Sequence, residues 1–427
     1  MKPKFNLFEE LRWRGMLHDA MPDTEELLNN ECVAGYIGID PSSDSLHIGN
    51  LASLMILVHF QRAGHYPIAL VGGATGMIGD PSGKSEERNL LSEDILAQNV
   101  EGIKRDLQKV LDFDNDINPA KLVNNYDWFK EISLLDFLRN VGKHLTISYM
   151  IAKDSVQNRL EKGISFTEFS YQLIQGYDFY WLWKNHQCRV QFGGSDQWGN
   201  ITAGTELIRR MEGGEAFAFT CPLITKADGT KFGKTEKGAV FLNPERTSPY
   251  ELYQFWINAS DDDAKRYIRV FTLLPQAEIL QLEQAHEEAP HLRILQKTTA
   301  AEVCRMVHGQ AVLDKVLLTT EILFGKPTRE ILQQLSDAEI LSVFEGVPTH
   351  EVAMLAKNSS LPVVDFLSES GIFPSRNEAR RSLAQNAVSI NMEKVDENYS
   401  LSHEDLLHQK YVLVQKGKKH KFLAIFV

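Results

Sequence analysis

Two polar, glycine-bearing stretches carry residue types suited to phosphate chemistry. In PSSDSLHIGN, residues 41–50, His47 and Gly49 follow a β-rich run and precede an amphipathic one. A turn between strand and helix exposes backbone N–H groups at the positive end of a helix dipole, a setting that suits phosphate oxygens. His47 can donate a hydrogen bond to such an oxygen, and Gly49 leaves a nucleotide room against the backbone. Far downstream, KADGTKFGKT at 226–235 sets Lys231, Lys234 and Thr235 on a glycine-bearing loop. Transfer of a nucleotidyl group from ATP builds negative charge on the leaving pyrophosphate, and lysines on a loop offer the positive charge to stabilise it. A surface histidine beside a glycine, or a lysine-rich loop, is commonplace by itself. Their pairing is what points to nucleotide chemistry. Lys84 and Arg88, at the end of the glycine-rich run GGATGMIGDPSGK (72–84) and just beyond it, are further phosphate candidates. Tyr171, Gln175 and Asp178 stand at i, i+4 and i+7, so a helix there would present all of them on one face.

The surrounding text supplies elements to hold these residues. Ala34–Asp40 reads as a buried strand, and Asn50–Gly64 places Leu51, Leu54, Met55 and Val58 at helical spacing. Tyr66–Val71 reads as the next strand and runs into the glycine-rich stretch. Residues 85–165 read as mostly helical; Arg189–Phe192 reads as a strand entering GGSDQWGN, with helical character resuming at Ile201–Met211. Such alternation is the signature of an α/β fold with a Rossmann-like parallel sheet wrapped by helices. From Pro249 to Lys326 the pattern is helical, and Leu361–Val427 has its own pattern of two helices and short strands. The expected division is a nucleotide-binding domain over 1–245, a mostly helical domain over 246–326, a linker over 327–353 and a small α+β module over 354–427.

With 427 residues, 43% of them hydrophobic, the chain is long enough for two or three domains with a sizeable core. The net charge of -12 excludes a surface that is basic throughout and confines any nucleic-acid contact to local patches. One such patch is legible: residues 376–427 hold nine Lys and Arg against six Asp and Glu, including Arg376, Arg380, Arg381, Lys416, Lys418, Lys419 and Lys421. Cys32, Cys188, Cys221 and Cys304 are scattered, with neither a CxxC pair nor histidines at ligand spacing, so no protein-bound metal, zinc included, and no disulfide framework is expected. The opening residues lack an apolar stretch of signal-peptide length, and nothing later approaches the about 20 apolar residues of a membrane helix. A cytoplasmic protein without membrane partners is expected.

HIGN (47–50) and KFGKT (231–235) resemble the two ATP-binding signatures of class I aminoacyl-tRNA synthetases, in order and in setting. Together with YIGIDPSSDSLHIGN, GGATGMIGDPSGK, YQLIQGYDF and QFGGSDQWGN they are similar to the pattern of bacterial tyrosyl-tRNA synthetases over most of residues 30–240. The resemblance implies activation of tyrosine with ATP, accompanied by Mg²⁺, to tyrosyl-adenylate, followed by transfer to the 3'-terminal ribose of tRNA(Tyr), on a homodimer. It assigns His47, Lys231, Lys234 and Thr235 to catalysis. It gives Gly38, Asp40, Ser42, His47, Gly49, Asn50, Gly194, Asp196, Lys231 and Lys234 to ATP. Tyr36 and Asp178 would face the substrate phenol, and Asp80, Tyr171 and Gln175, with Gln191 and Gln197 close by, its ammonium end. In the C-terminal module, SRNEARRSLAQNAVSIN (375–391) resembles a small RNA-binding fold first recognised in a ribosomal protein, with Arg376, Arg380, Arg381, Lys418 and Lys419 facing RNA. Asn50 departs from the family signature, which most often has a second histidine there; an asparagine amide can still donate a hydrogen bond and tolerates a helix start.

Three other readings compete. A tryptophan-specific relative shares the fold and both signatures but should lack the Tyr36/Asp178 pair. A non-catalytic RNA-binding protein on the same scaffold has no use for His47, Lys231 and Lys234. A small-molecule adenylyltransferase has none for RNA-facing parts.

Overall fold

The computed structural model describes residues 2–82, 91–153, 156–157, 163–230, 232–235, 238–324, 329–333, 335–344, 347–355, 359–417 and 420–427, without the side chains of residues 234, 235, 323, 324, 331, 338, 339 and 342. Lys84, Arg88, Lys231, Lys418 and Lys419 lie outside the described residues. The chain forms two compact units, residues 1–313 and 314–427, with the division inside the helix Gln310–Phe324.

In the first unit, apolar runs too continuous for a half-exposed sheet become parallel strands buried on both faces. They are β1 (Ala34–Ile39), β2 (Tyr66–Val71), β3 (Lys121–Asn124), β4 (Cys188–Gly194) and β5 (Phe217–Cys221), in the order β3-β2-β1-β4-β5. Every neighbouring pair is parallel. Tyr36 at the middle of β1 lies beside Ile68 of β2 and Gln191 of β4. Strand order reverses between β1 and β4, which opens a crevice at the carboxyl ends of those strands.

The Rossmann-like expectation is met. The reading of 85–165 as mostly helical needs a correction, because β3 lies within it, and β5 was not anticipated. β3 has only four residues, KLVN, too few to show a two-residue period. β5, FAFTC, is buried along its whole length and so shows no alternation.

The helix Ile48–Arg62 follows β1, with His47 as its N-cap, and buries Leu51, Leu54, Met55 and Val58 as its spacing predicts. The helix Phe166–His186 packs against Trp198–Glu212, and glycines permit the close approach. A Cβ on Gly204 would stand 2.9 Å from the Cβ of Phe179, which is fully buried. Beyond β5 the helices Pro249–Ile257, Asp261–Phe271, Gln276–Glu288 and Ile294–His308 follow one another as the pattern predicts. Phe232, from the lysine-bearing loop, stacks on Phe271 at 5.2 Å and meets Tyr267 at 5.0 Å, which anchors that loop in aromatic packing.

The second unit has a five-stranded sheet in the order Glu393–Lys394, Val388–Ile390, Tyr411–Lys416, His420–Phe426 and Thr349–Val352. Its helices include Val363–Glu369 and Arg376–Ala384, in keeping with the two helices read from the sequence of this stretch. The stretch 327–353 is not featureless: it holds the helices Arg329–Gln333 and Asp337–Val343 and the edge strand Thr349–Val352. Leu332, Leu335, Ile340, Val343 and Phe344 pack with Leu413 and Leu423 of the sheet.

Gly204→Ala should destabilise the chain by about 1–3 kcal/mol, because the added methyl must displace Phe179 or the helix backbone. Urea denaturation monitored by circular dichroism measures this; an unchanged midpoint would show that the helices have room to part.

Candidate active site

The crevice between β1 and β4 is a cleft of about 590 Å³. Its lining includes Tyr36, Gly38, Asp40, Ser42, His47, Gly49, Asn50, Asp80, Tyr171, Gln175, Asp178, Gln191, Gly194, Asp196 and Gln197. These residues come from β1, the turn after it and the start of the helix Ile48–Arg62, from the glycine-rich segment after β2, from the helix Phe166–His186, and from β4 and the turn after it.

At the β1 turn, His47 caps the following helix. Its Nδ1 accepts the N–H of Asn50 at 3.2 Å, while Asn50 Oδ1 accepts the N–H of His47 at 3.1 Å. A capping box of this kind satisfies two helix-end donors reciprocally. Because Nδ1 is the acceptor, the neutral ring carries its proton on Nε2 and is a donor there. Gly49 is required by the ring: a Cβ would lie 2.9 Å from His47 Cε1. Asn50 therefore performs a local structural role that a sequence comparison of signatures does not show.

Asp178 is 1% exposed, and its oxygens accept from Asn125 Nδ2 at 3.0 Å and Trp128 Nε1 at 3.0 Å. Burial pushes its carboxyl well above the ordinary range, and those two donors pull the other way. Tyr36, also 1% exposed, has a hydroxyl with no hydrogen-bond partner, and burial together with the nearby Asp178 charge pushes its phenol up. Gln175 Oε1 and Gln191 Oε1 are likewise buried without partners. An unpaired buried polar atom is costly, so a concentration of them in one cleft marks where a polar ligand belongs.

Asp40 accepts from Thr75 Oγ1 at 2.7 Å and from Tyr171 at 2.9 Å. A Cβ on Gly72 would lie 2.3 Å from that carboxylate, so glycine is needed there. Burial, then Asp40 and Asp80, raise the Tyr171 phenol. Asp80 accepts from Gln197 Nε2 at 2.6 Å, from the Ser82 N–H at 2.9 Å and from Asn200 Nδ2 at 3.3 Å. Burial and the Asp80 charge raise Asp196. Gly194 must lack a side chain, since a Cβ would sit 2.6 Å from Asp196 Oδ1.

Thr75, Asn125, Trp128 and Asn200 were not singled out from the sequence, although they orient the carboxylates that were. Asn125 follows the unrecognised strand β3 and donates to both Thr75, at 3.0 Å, and Asp178. No local motif marks it.

The lysine-bearing loop begins in a turn at Asp228–Thr230, with Thr230 N–H on Asp228 Oδ1 at 2.9 Å. The Ala227 N–H is held by Asp263 at 2.9 Å. Lys234 and Thr235 form a short strand with Gly238–Ala239. The chain returns beside the first signature: Ile48 N–H donates to Val240 O at 3.0 Å and Leu242 N–H to Leu46 O at 2.8 Å. Gly233 lies against Gly49, where a Cβ would meet the Gly49 nitrogen at 3.3 Å. The two signatures are thus adjacent in space, although Lys231 is not among the described residues.

In the second unit, Arg376 pairs with Asp365 at 3.0 Å and Glu369 at 3.6 Å, and Lys416 pairs with Glu378 at 2.8 Å. Lys421 donates to the carbonyl of Ile322 at 2.7 Å, and burial lowers its ammonium. Arg380 and Arg381 are exposed.

Residues 28–325 match the family model described as tRNA synthetases class I (W and Y), and 339–424 match that of the tyrosine–tRNA ligase SYY-like C-terminal domain. A tyrosine–tRNA ligase of Porphyromonas gingivalis is 57% identical, covering 98% of this chain and 99% of its own length. One from Bacteroides thetaiotaomicron is 56% identical over the same shares. Among solved structures, a C-terminally truncated mitochondrial tyrosyl-tRNA synthetase of Aspergillus nidulans superimposes with a TM-score of 0.68 at 31% identity, covering 75% of this chain and 95% of that one.

The Asp178 carboxyl titrates higher in the folded chain than in the unfolded one. Its contribution to stability is therefore fully present below the unfolded pKa and is lost as the pH rises through the folded value. Asp178→Asn removes that titration, so the stability difference should move in favour of the variant as the pH is raised from the ordinary carboxylate range upward. Thermal melts across pH measure it, and a difference flat with pH would mean that the folded chain does not raise this carboxyl.

Proposed function

The chain belongs to the class I tRNA synthetase family, among the tyrosine–tRNA ligases, and we propose that it activates tyrosine with ATP and transfers it to tRNA(Tyr) in the cleft between β1 and β4. The observation that carries the pocket assignment is the set of buried, unpartnered polar atoms, Tyr36 Oη, Gln175 Oε1 and Gln191 Oε1, in the same cleft as the capped His47.

The substrate phenol donates to Asp178 and accepts from Tyr36, and phenylalanine leaves both buried groups unmet. The ammonium sits among Asp80, Tyr171 and Gln175, with Gln191 and Gln197 beside it. Gly38, Asp40, Ser42, Gly49, Asn50, Gly194 and Asp196 line the ATP side, where Gly38 and Gly194 let the nucleoside approach the backbone. The tyrosine carboxylate attacks the α-phosphorus; the new O–P bond forms as the bond to the β-phosphate oxygen breaks, and its electron pair leaves with pyrophosphate. A carboxylate needs no general base at neutral pH, so positioning and charge stabilisation set the rate. His47, donating through Nε2, and Lys231, Lys234 and Thr235 supply that stabilisation, with Lys84 and Arg88 as further phosphate contacts. The terminal ribose hydroxyl of the tRNA then attacks the adenylate carbonyl and AMP leaves. Mg²⁺ accompanies the ATP phosphates. Among the described residues no group of three or more His, Cys, Asp or Glu side chains is placed to hold a metal of its own.

We assign the catalytic work to residues 1–245, anticodon-region recognition to 246–326, a linking role to 327–353 and RNA binding to 354–427. Arg380 and Arg381 support the last assignment through their exposure, with Arg376, Lys418 and Lys419 joining the same basic module. A homodimer in the cytoplasm is the proposed state. No described helix is long and apolar enough to cross a membrane. Large apolar side chains are exposed within residues 126–166, Leu135 at 77% and Phe166 at 76% among them, and a second copy would cover them.

Purified protein should catalyse ATP–pyrophosphate exchange with tyrosine and not with phenylalanine or tryptophan; tryptophan-selective exchange would overturn the pocket assignment. Tyr36→Phe should reduce the preference for tyrosine over phenylalanine about 10-fold, the effect of one buried hydrogen bond. Leu135→Glu should convert a dimer to a monomer in sedimentation experiments, whereas a dimer that survives it would place the interface elsewhere.

A further inference from the structure

The helix Glu93–Val110 holds the backbone of the first ATP signature at Leu46 and that of the chain returning from the second at Leu242. Asp106 is 2% exposed. Its Oδ2 accepts the Ser45 hydroxyl at 2.6 Å and the Leu46 N–H at 2.9 Å, directly before His47. Its Oδ1 accepts Lys109 Nζ at 2.7 Å. Lys109 donates in turn to the carbonyl of Leu242 at 2.9 Å, on the chain returning from the lysine-bearing loop. The two backbones so held are hydrogen-bonded to each other on either side of His47, Leu242 N–H to Leu46 O and Ile48 N–H to Val240 O. The helix can come this close because residue 102 is glycine: a Cβ there would stand 1.8 Å from the Asp44 carbonyl oxygen. Asn99 adds a hydrogen bond to the carbonyl of Pro41 at 2.9 Å.

A carboxylate this deeply buried is costly without a cation, and an ammonium with three donors can satisfy it while reaching a second acceptor. Asp106 and Lys109 therefore form one bracket whose two ends are Leu46 and Leu242. Neither residue lines the cleft. We infer that Asp106 and Lys109 are positioning residues for the ATP step, fixing His47 relative to the lysine-bearing loop through the backbones of Leu46 and Leu242. The inference rests on the proposed activation of tyrosine with ATP and adds the residues that align its two phosphate-facing segments. Charge on a leaving pyrophosphate is stabilised from both segments at once, so their spacing matters to the transition state, whereas the tyrosine pocket is built on β1, the segment after β2, β4 with the turn after it, and the helix Phe166–His186, to none of whose pocket residues Asp106 or Lys109 is hydrogen-bonded.

The test uses the full chain with Lys109→Met, which keeps the aliphatic stem and removes the donor. Tyrosine-dependent pyrophosphate exchange at varied ATP is compared with tyrosine binding by equilibrium dialysis and with the thermal midpoint. The turnover rate of exchange should fall about 10- to 100-fold, the scale of a displacement near 1 Å in a reacting complex, with the tyrosine dissociation constant unchanged. Asp106→Asn keeps an oxygen for the Leu46 N–H but loses the charge facing Lys109, and should show the same split; it decides the matter if Lys109→Met does not fold. Rates equal to wild type in the folded variants, or rate and tyrosine affinity falling in proportion, would overturn the inference. A wild-type chain inactive with tyrosine would instead remove the proposed function on which it stands.

Discussion

Strand connections leave β1 and β4 in opposite directions across the sheet, β1 leading to β2 and β4 to β5. Between them the carboxyl ends of two adjacent strands are left uncovered, and each strand leads through a short turn into a helix. That single topological fact places Tyr36 and Gln191 side by side on neighbouring strands and the turns holding His47 and Asp196 at one edge of the same opening. The long helix Phe166–His186 then adds Tyr171, Gln175 and Asp178 from one face. A ligand entering there meets backbone turns at one end and buried side chains at the other.

The polar groups of the cleft divide into two populations. Asp40, Asp80 and Asp178 accept hydrogen bonds from Thr75 and Tyr171, from Gln197 and Asn200, and from Asn125 and Trp128 respectively. Tyr36, Gln175 and Gln191 keep an unpartnered atom. The first group is fixed in orientation by its partners, and the second keeps hydrogen-bonding capacity that a polar ligand in the cleft would satisfy. Carboxylates gathered in one cleft also favour an incoming ammonium and, through burial and mutual repulsion, raise the pKa of Asp178 and Asp196. The cost of holding such a site is borne by the surrounding apolar core, in which Phe179 packs beside Tyr36 at 5.4 Å.

The glycines argue similarly. Gly49, Gly72 and Gly194 each face a side chain that lines the cleft too closely for a Cβ, whereas Gly102 and Gly204 serve the close approach of a helix to its neighbour. A glycine-rich motif in the sequence is consistent with either use, and only the neighbours distinguish them.

Residue type and spacing alone were enough to read the strands β1, β2 and β4, the helix face bearing Tyr171, Gln175 and Asp178, and a separate pattern at the C-terminal end, because each is encoded in residues close together in the chain. Local signals are strong where a buried strand meets a polar turn or where polar residues recur at a helical period. What the tertiary structure decided is which distant groups meet. Asn125 and Trp128 reach Asp178 from beyond a strand too short to show a period, and Asn50 closes a helix cap with His47. Phe232 anchors the lysine loop among aromatics of later helices, and Arg376 and Lys416 turn toward acidic partners, so the basic tally of the module overstates the charge it can offer. Hydrogen bonds and packing between residues far apart in sequence leave no periodic trace in it, since they depend on where the sheet order brings the chain back.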